Sequence, residues 1–302
     1  MNADQLATRF RIPGIVEFAE SAAGLAKVTV SPASCTGELY LQGAQVTAWQ
    51  PAGERPVIFT SPNAVFAPGK AIRGGIPVIF PWFGAHPSQP GAPQHGFARV
   101  AAWRLDRVEQ AGADAVALDL SLASDGKLDP HWPQEYAAVL RVTFGRELSL
   151  DLAVRNRASH EIVYEEALHT YFAISAIADV SVGGLEQSGF IDKTQNMART
   201  PPAGAPLVVR GETDSVYLDT GATLVLHDPG WRRRITIAKT GAASAIVWNP
   251  WAEKAAAMAD LGGEAWRSMI CVETGNVADN RVRLAAGAEH RMTTRIAVDA
   301  GG

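Results

Sequence analysis

Along much of this chain apolar and polar residues alternate with a period of two. Val116, Leu118, Leu120 and Leu122 are separated by Ala117, Asp119 and Ser121. Ala138, Leu140, Val142 and Phe144 alternate with Val139, Arg141 and Thr143. Leu148, Leu150, Leu152 and Val154 alternate with Ser149, Asp151 and Ala153. Each run turns one face inward and the other outward, the mark of antiparallel strands with one buried side. Gly145-Arg146 falls between the second and third runs, where a hairpin turn belongs. Further strands are expected around 26–30, 45–49, 161–173, 223–227, 234–238 and 291–298. A last one rises from Ser268 through apolar residues to Glu273, with Thr274-Gly275-Asn276 as a loop signal after it.

Helical patterning is scarce. The alanine-rich stretch 251–260 is the best candidate, with Asn249 as its cap and Pro250 at the first helical position. The proline-rich piece 200–206 reads as a surface loop. No repeat and no composition shift divides the chain. The expectation is one all-β domain spanning 1–302, a large antiparallel β-sandwich with few short helices.

Composition narrows the function. With 302 residues, 47% of them hydrophobic, the chain can bury a sizeable core. A formal charge of −4 gives no basic surplus of the kind a nucleic-acid binder needs. Only Cys35 and Cys271 occur, so no disulfide framework is indicated. No apolar run approaches the roughly 18 residues of a membrane span. Asp4 and Arg9 stand where a secretory leader would need an apolar stretch, so a cytoplasmic protein is expected. A monomer is expected too, because no exposed apolar element suggests an interface.

Three stretches carry candidate chemistry. Ile72-Arg73-Gly74-Gly75-Ile76-Pro77 leads to Pro81-Trp82-Phe83-Gly84 and then to His95-Gly96-Phe97-Ala98-Arg99. Glycines permit close approach of backbone to a ligand, Trp82, Phe83 and Phe97 offer apolar faces, and Arg73 and Arg99 offer planar donors for anionic oxygens. A pocket wall and a buried β-corner with two surface arginines both fit this composition. The second stretch, Leu168-His169-Thr170-Tyr171-Phe172, puts His169 on one strand face with Ala167 and Tyr171. His169 is either a satisfied core-edge histidine or a proton-transfer group. The third presents Glu273, either a solvated strand end or a base whose pKa burial would raise.

Other site chemistries lack their signatures. There is no paired-cysteine, His-x-x-x-His or His-Glu-x-x-His motif for zinc, although His86, His95 and His169 could converge. Neither a phosphate-binding Gly-x-x-x-x-Gly-Lys loop nor a Gly-x-Ser-x-Gly elbow is present. What remains suits proton transfer on a small polar ligand, and aromatic faces beside polar donors suit a sugar ring.

Together these motifs resemble the hexose-6-phosphate mutarotases, or glucose-6-phosphate 1-epimerases, of the aldose 1-epimerase superfamily. Gly184-Leu185, Ile191-Asp192-Lys193, Trp248-Asn249-Pro250-Trp251 and Cys271-Val272-Glu273-Thr274-Gly275-Asn276 extend the likeness over nearly the whole chain. The resemblance implies a galactose mutarotase-type sandwich and cofactor-free, metal-free interconversion of hexose 6-phosphate anomers. It implies Glu273 as the base at the C1 hydroxyl and His169 as the acid at the ring oxygen. His95 would contact the sugar, Arg73 and Arg99 its phosphate, and Asp192 its hydroxyls, with Trp82 and Phe97 as aromatic walls. An epimerase of unphosphorylated aldoses and a non-catalytic carbohydrate-binding protein are the alternatives.

Overall fold

A computed structural model describes residues 1–300. The alternating runs are strands Val116–Asp125, Glu135–Phe144 and Leu148–Asn156, joined edge to edge in antiparallel register. Their apolar positions are buried to the last residue named above, and Asp119, Ser121, Arg141 and Thr143 are not. Burying each such Leu or Val contributes about 1.5–3 kcal/mol, which is why the register is held. Gly145-Arg146 lies in the turn between the second and third strands.

These three belong to an eight-stranded sheet that runs from Ser181–Gly183 at one edge to Arg104–Gln110 at the other. A second eight-stranded sheet is ordered Ala198–Thr200, Phe190–Asp192, Thr213–Tyr217, Ser244–Asn249, Met269–Asn276, Glu166–Leu168 and Val78–Ile79, with Tyr171–Ala173 also paired to Met269–Asn276. Thr274 and Thr294 join the two sheets through their hydroxyls at 2.9 Å. A four-stranded sheet, residues 16–51, packs beside them, and Trp49 donates its indole N–H to the Gly145 carbonyl at 3.1 Å. All strand pairings are antiparallel, as the alternation predicts.

Three expectations need correction. The stretch 161–173 is not one strand but three, Ile162–Tyr164, Glu166–Leu168 and Tyr171–Ala173. It breaks at Glu165, whose N–H goes to the Pro81 carbonyl at 2.9 Å, and again at His169-Thr170, where the His169 N–H turns to the Pro77 carbonyl at 3.0 Å. Thr274-Gly275-Asn276 is not a loop, because the strand continues through it, and Glu273 therefore lies inside a strand. Gly275 is there for clearance: a Cβ would sit 2.8 Å from the Glu166 carbonyl oxygen. The helix is shorter than 251–260, running Trp251–Ala256 with Pro250 and not Asn249 at its cap position, and the Asn249 carboxamide accepts the Trp251 N–H at 2.9 Å. Among the described residues no helix is long and apolar enough to cross a membrane. Cys35 and Cys271 are both buried and unpaired.

Candidate active site

The pairings 168 with 274 and 171 with 271 share one register, which, carried through the break, sets His169 opposite Glu273. The same row continues through Ile246 beside Glu273, and Trp248 beside Cys271 faces Asp214. Period-two geometry therefore places Tyr171, His169, Glu273, Trp248 and Asp214 on one face of the sheet. That face floors a cavity of about 420 Å³, with Arg73, His95 and Arg99 in its walls. The volume lies in the range of small-molecule sites.

Glu273 is 1% exposed and His169 8% exposed. His169 Nε2 lies 3.3 Å from Glu273 Oε1, yet neither carboxylate oxygen has an aligned hydrogen-bond donor. Burial pushes the Glu273 carboxyl well up, Asp214 adds to the push and Lys193 opposes it. Burial drives the His169 imidazole well down, helped by His95, Arg99 and Arg73. Both shifts favour an uncharged couple that holds one proton between its two members. The Tyr171 ring stacks on His169 at 4.9 Å and fixes its plane.

His95 comes from a tight corner. It has φ 62° and is followed by Gly96 at φ 71°, where a Cβ would meet the Phe80 carbonyl oxygen at 2.0 Å. A non-glycine residue held in the left-handed region is a cost that folds retain at functional sites. Its Nδ1 accepts the Gly84 N–H at 3.2 Å. Burial, then Arg99, Lys193 and Arg73, lower its pKa to about 3. His95 is thus a neutral ring whose proton sits on Nε2, a fixed donor.

Four cations line the cavity. Arg73 is tied to Asp260 at 3.1 Å and donates to the Tyr171 hydroxyl at 3.3 Å. Lys193 pairs with Asp214 at 3.0 Å and Lys254 with Glu212 at 2.7 Å. Arg99 donates to the Gln94 carbonyl at 2.7 Å, and among the described residues no carboxylate pairs with it. Burial lowers its pKa, which marks a cation short of compensation.

The structure gathers Arg73, His95, Arg99, His169 and Glu273 around one cavity and leaves Trp82, Phe97 and Asp192 outside its lining. Trp82 and Phe97 are about 95% buried, packed on one another at 5.9 Å, with the Trp82 indole donating to Pro93. The neighbouring Phe83 is the ring that faces the cavity. Asp192 pairs with Ser215 across the sheet, one residue out of phase with Asp214, and its carboxylate accepts from the Thr194 N–H at 2.9 Å. The sequence reading missed Asp214, Lys193 and Lys254. No local signal singles out Asp214, because only the cross-strand register puts its side of the strand on the cavity floor. His86 packs on Trp82 instead of joining His95 and His169, and among the described residues no group of three metal-ligating side chains converges.

A β-sandwich holding an acid–base couple at the floor of a polar, cation-lined cleft is the framework of a proton-transfer enzyme for a small polar substrate. Residues 27–297 match the aldose 1-epimerase family, and the chain belongs to it. It is accordingly an isomerase of the epimerase type. A protein of Cenchrus ciliaris, provisionally named glucose-6-phosphate 1-epimerase, is 36% identical over 94% of this chain and 87% of its own. A protein of Escherichia coli K12 with the same provisional name is 35% identical over 80% of each chain. The crystal structure of a provisionally named mutarotase from Salmonella typhimurium superimposes with TM-score 0.89 at 28% identity, covering 96% of both chains. A galactose mutarotase related enzyme of Lactobacillus acidophilus shares the fold at TM-score 0.70 and 13% identity, over 91% of this chain and 97% of its own.

Proposed function

We propose that this isomerase interconverts the α and β anomers of a hexose 6-phosphate, glucose 6-phosphate first among them, and needs no cofactor to do so. One observation carries the reading: a buried His169–Glu273 couple faces a cavity whose walls hold Arg73 and Arg99. The provisional names of the two relatives point the same way.

The order of charges along the cavity orients the sugar. Arg73 reaches the histidine end through Tyr171, and Asp214 with Lys193 flanks Glu273. A hexose 6-phosphate laid along that order puts its phosphate at the arginines, its ring oxygen at His169 and its C1 hydroxyl at Glu273. Asp214, not Asp192, then meets the hydroxyl next to C1. His95 Nε2–H donates to a sugar oxygen.

Ring opening moves one proton in and one proton out. The Glu273 carboxylate takes the proton from the C1 hydroxyl, the C1–O5 bond breaks, and O5 takes the proton of the His169 imidazolium. Rotation about C1–C2 presents the other face of the aldehyde, and reclosure reverses both transfers. The couple begins as carboxylate with imidazolium and ends as carboxylic acid with imidazole, with the same total of one proton. A buried pair suits this role, because its two forms differ only in where that proton sits. General acid–base help contributes about 10²–10⁴-fold per group, and fixed orientation adds to it. A cytoplasmic, monomeric protein is part of the same proposal.

The test is exchange between α- and β-glucose 6-phosphate, followed by polarimetry or NMR beside free glucose and corrected for the spontaneous rate. Selective acceleration of the phosphorylated sugar is expected. Equal acceleration of both would make the protein a general aldose epimerase.

A further inference from the structure

The arginine wall and the acid are built as one unit. Arg73 donates to the Tyr171 hydroxyl at 3.3 Å, and the Tyr171 ring lies nearly parallel on His169, 15° off plane at 4.9 Å. His95 closes the other side, its ring centre 5.7 Å from that of His169. The groups around His169 are therefore two cations lining the same cavity, Arg73 and Arg99, the neutral His95, the Tyr171 and Trp248 rings and the Glu273 carboxyl. The groups facing Glu273 are different, Asp214 and Lys193, and they carry opposite charges 3.0 Å apart. Arg73, Lys193 and Lys254 each have a carboxylate partner, and Arg99 has none among the described residues.

This leaves an excess of positive charge beside the group that must become an imidazolium, and none beside the group that must become a carboxylate. A neutral sugar would enter this cavity without altering that field. A bound dianion would cancel it at the imidazole.

We infer that an oxyanion seated between Arg73 and Arg99 activates the reaction as well as holding the substrate, with Tyr171 as the positioning residue that joins Arg73 to His169. The inference deepens the mutarotase reading and rests on it. The direction of the His169 shift agrees, since Arg99 and Arg73 both push it down and neither acts on Glu273 to a comparable degree. An interaction that favours only the reacting form raises kcat, whereas one that merely binds lowers KM. The phosphate therefore works in both terms.

The experiment separates them. Anomer exchange is measured for glucose 6-phosphate, for glucose, and for xylose, a pyranose without C6, the last with and without inorganic phosphite. The expected result is a kcat for glucose 6-phosphate about 10- to 100-fold above that for glucose. Phosphite should raise xylose turnover saturably, by about tenfold or more. Tyr171→Phe keeps the ring and breaks the link to Arg73, so the phosphite increment should shrink while the phosphite concentration for half-effect stays put. Equal kcat values for glucose and glucose 6-phosphate, with all discrimination in KM, overturn the inference. So does a lack of xylose activation at phosphite concentrations that inhibit glucose 6-phosphate turnover. A protein that does not accelerate glucose 6-phosphate at all loses the mutarotase reading in the first arm, and this inference with it.

Discussion

His169 and Glu273 face each other with Nε2 and Oε1 3.3 Å apart, His169 lying in the gap between strands Glu166–Leu168 and Tyr171–Ala173 and Glu273 inside the strand both pair with. The break frees the imidazole from the regular ladder without moving it out of register. The couple is shared between two strands, so each member depends on the other for its protonation.

That dependence is testable by additivity. Glu273→Gln and His169→Asn should each lower kcat for the anomerisation by about 10²–10⁴-fold. The double variant should be little worse than the poorer single one, because groups that act as a unit are not additive. Steady-state rates of the three variants check this, with circular dichroism to show the fold retained. A product of the two single effects in the double variant would mean independent roles.

Arg99 offers a sharper handle on substrate charge than Arg73. Arg99→Ala should lower kcat/KM for glucose 6-phosphate by about 10- to 150-fold, the roughly 1.5–3 kcal/mol of a hydrogen bond to a charged group. Glucose turnover should hold or rise, because a cation that disfavours the His169 imidazolium is gone. Thermal stability should hold or rise, since the guanidinium is half-buried without a carboxylate partner. A drop in melting temperature would assign Arg99 to the framework.

Asp214 and Asp192 should part company. Asp214→Asn should damage turnover of hexose phosphates by tenfold or more, about 1.4 kcal/mol. Asp192→Asn should leave kcat/KM alone and cost at most about 1 kcal/mol of stability, the scale of a lost N-cap. Kinetics and denaturant midpoints on the pair decide it. The opposite assignment would return sugar recognition to Asp192.

Two histidines should bend the stability–pH curve in opposite directions. His95 titrates near 3 when folded and near the usual 6.5 when unfolded, so between those values the unfolded chain binds the extra proton. Stability should therefore fall on acidification below about pH 6.5, by at most about 1.4 kcal/mol per pH unit from this group. His290 is raised by its hydrogen bond to the buried Glu166, with Nε2 and Oε1 3.0 Å apart. Its contribution is fully present below the unfolded pKa and is lost as pH rises through the folded one. His290→Gln should thus destabilise the protein at pH 5.5 and much less at pH 8.5. Urea midpoints at the two pH values measure this, and an equal loss at both would remove the ion pair as the cause.

Much of this was legible in the chain itself. The Val116, Ala138 and Leu148 runs gave their strands because each alternates cleanly, with one face in the core. His169 and Glu273 were legible by motif, and His169 also by its shared face with Tyr171. Asp192 and Asp214 could not be told apart from local sequence, since which of two nearby acids faces the cavity depends on cross-strand register. Trp82 and Phe83 pose the same problem in adjacent positions, and only the packing around Pro93 settles it. The Thr-Gly-Asn after Glu273 carries a turn composition, and its place between Glu166 and Ser244 in the sheet overrides that preference.

The break at His169 has a geometric corollary. The His169 N–H is held by Pro77 and the Tyr171 N–H by Gly75, at 3.0 and 2.9 Å, both in the segment that begins with Arg73. His169 is thus fastened to the same short piece of main chain as Arg73. On the proposed reading those two backbone bonds act as a ruler. They set the span between phosphorus and ring oxygen, so selectivity for the position of the phosphate on the sugar is written into the main chain, where no side-chain substitution can readily reset it.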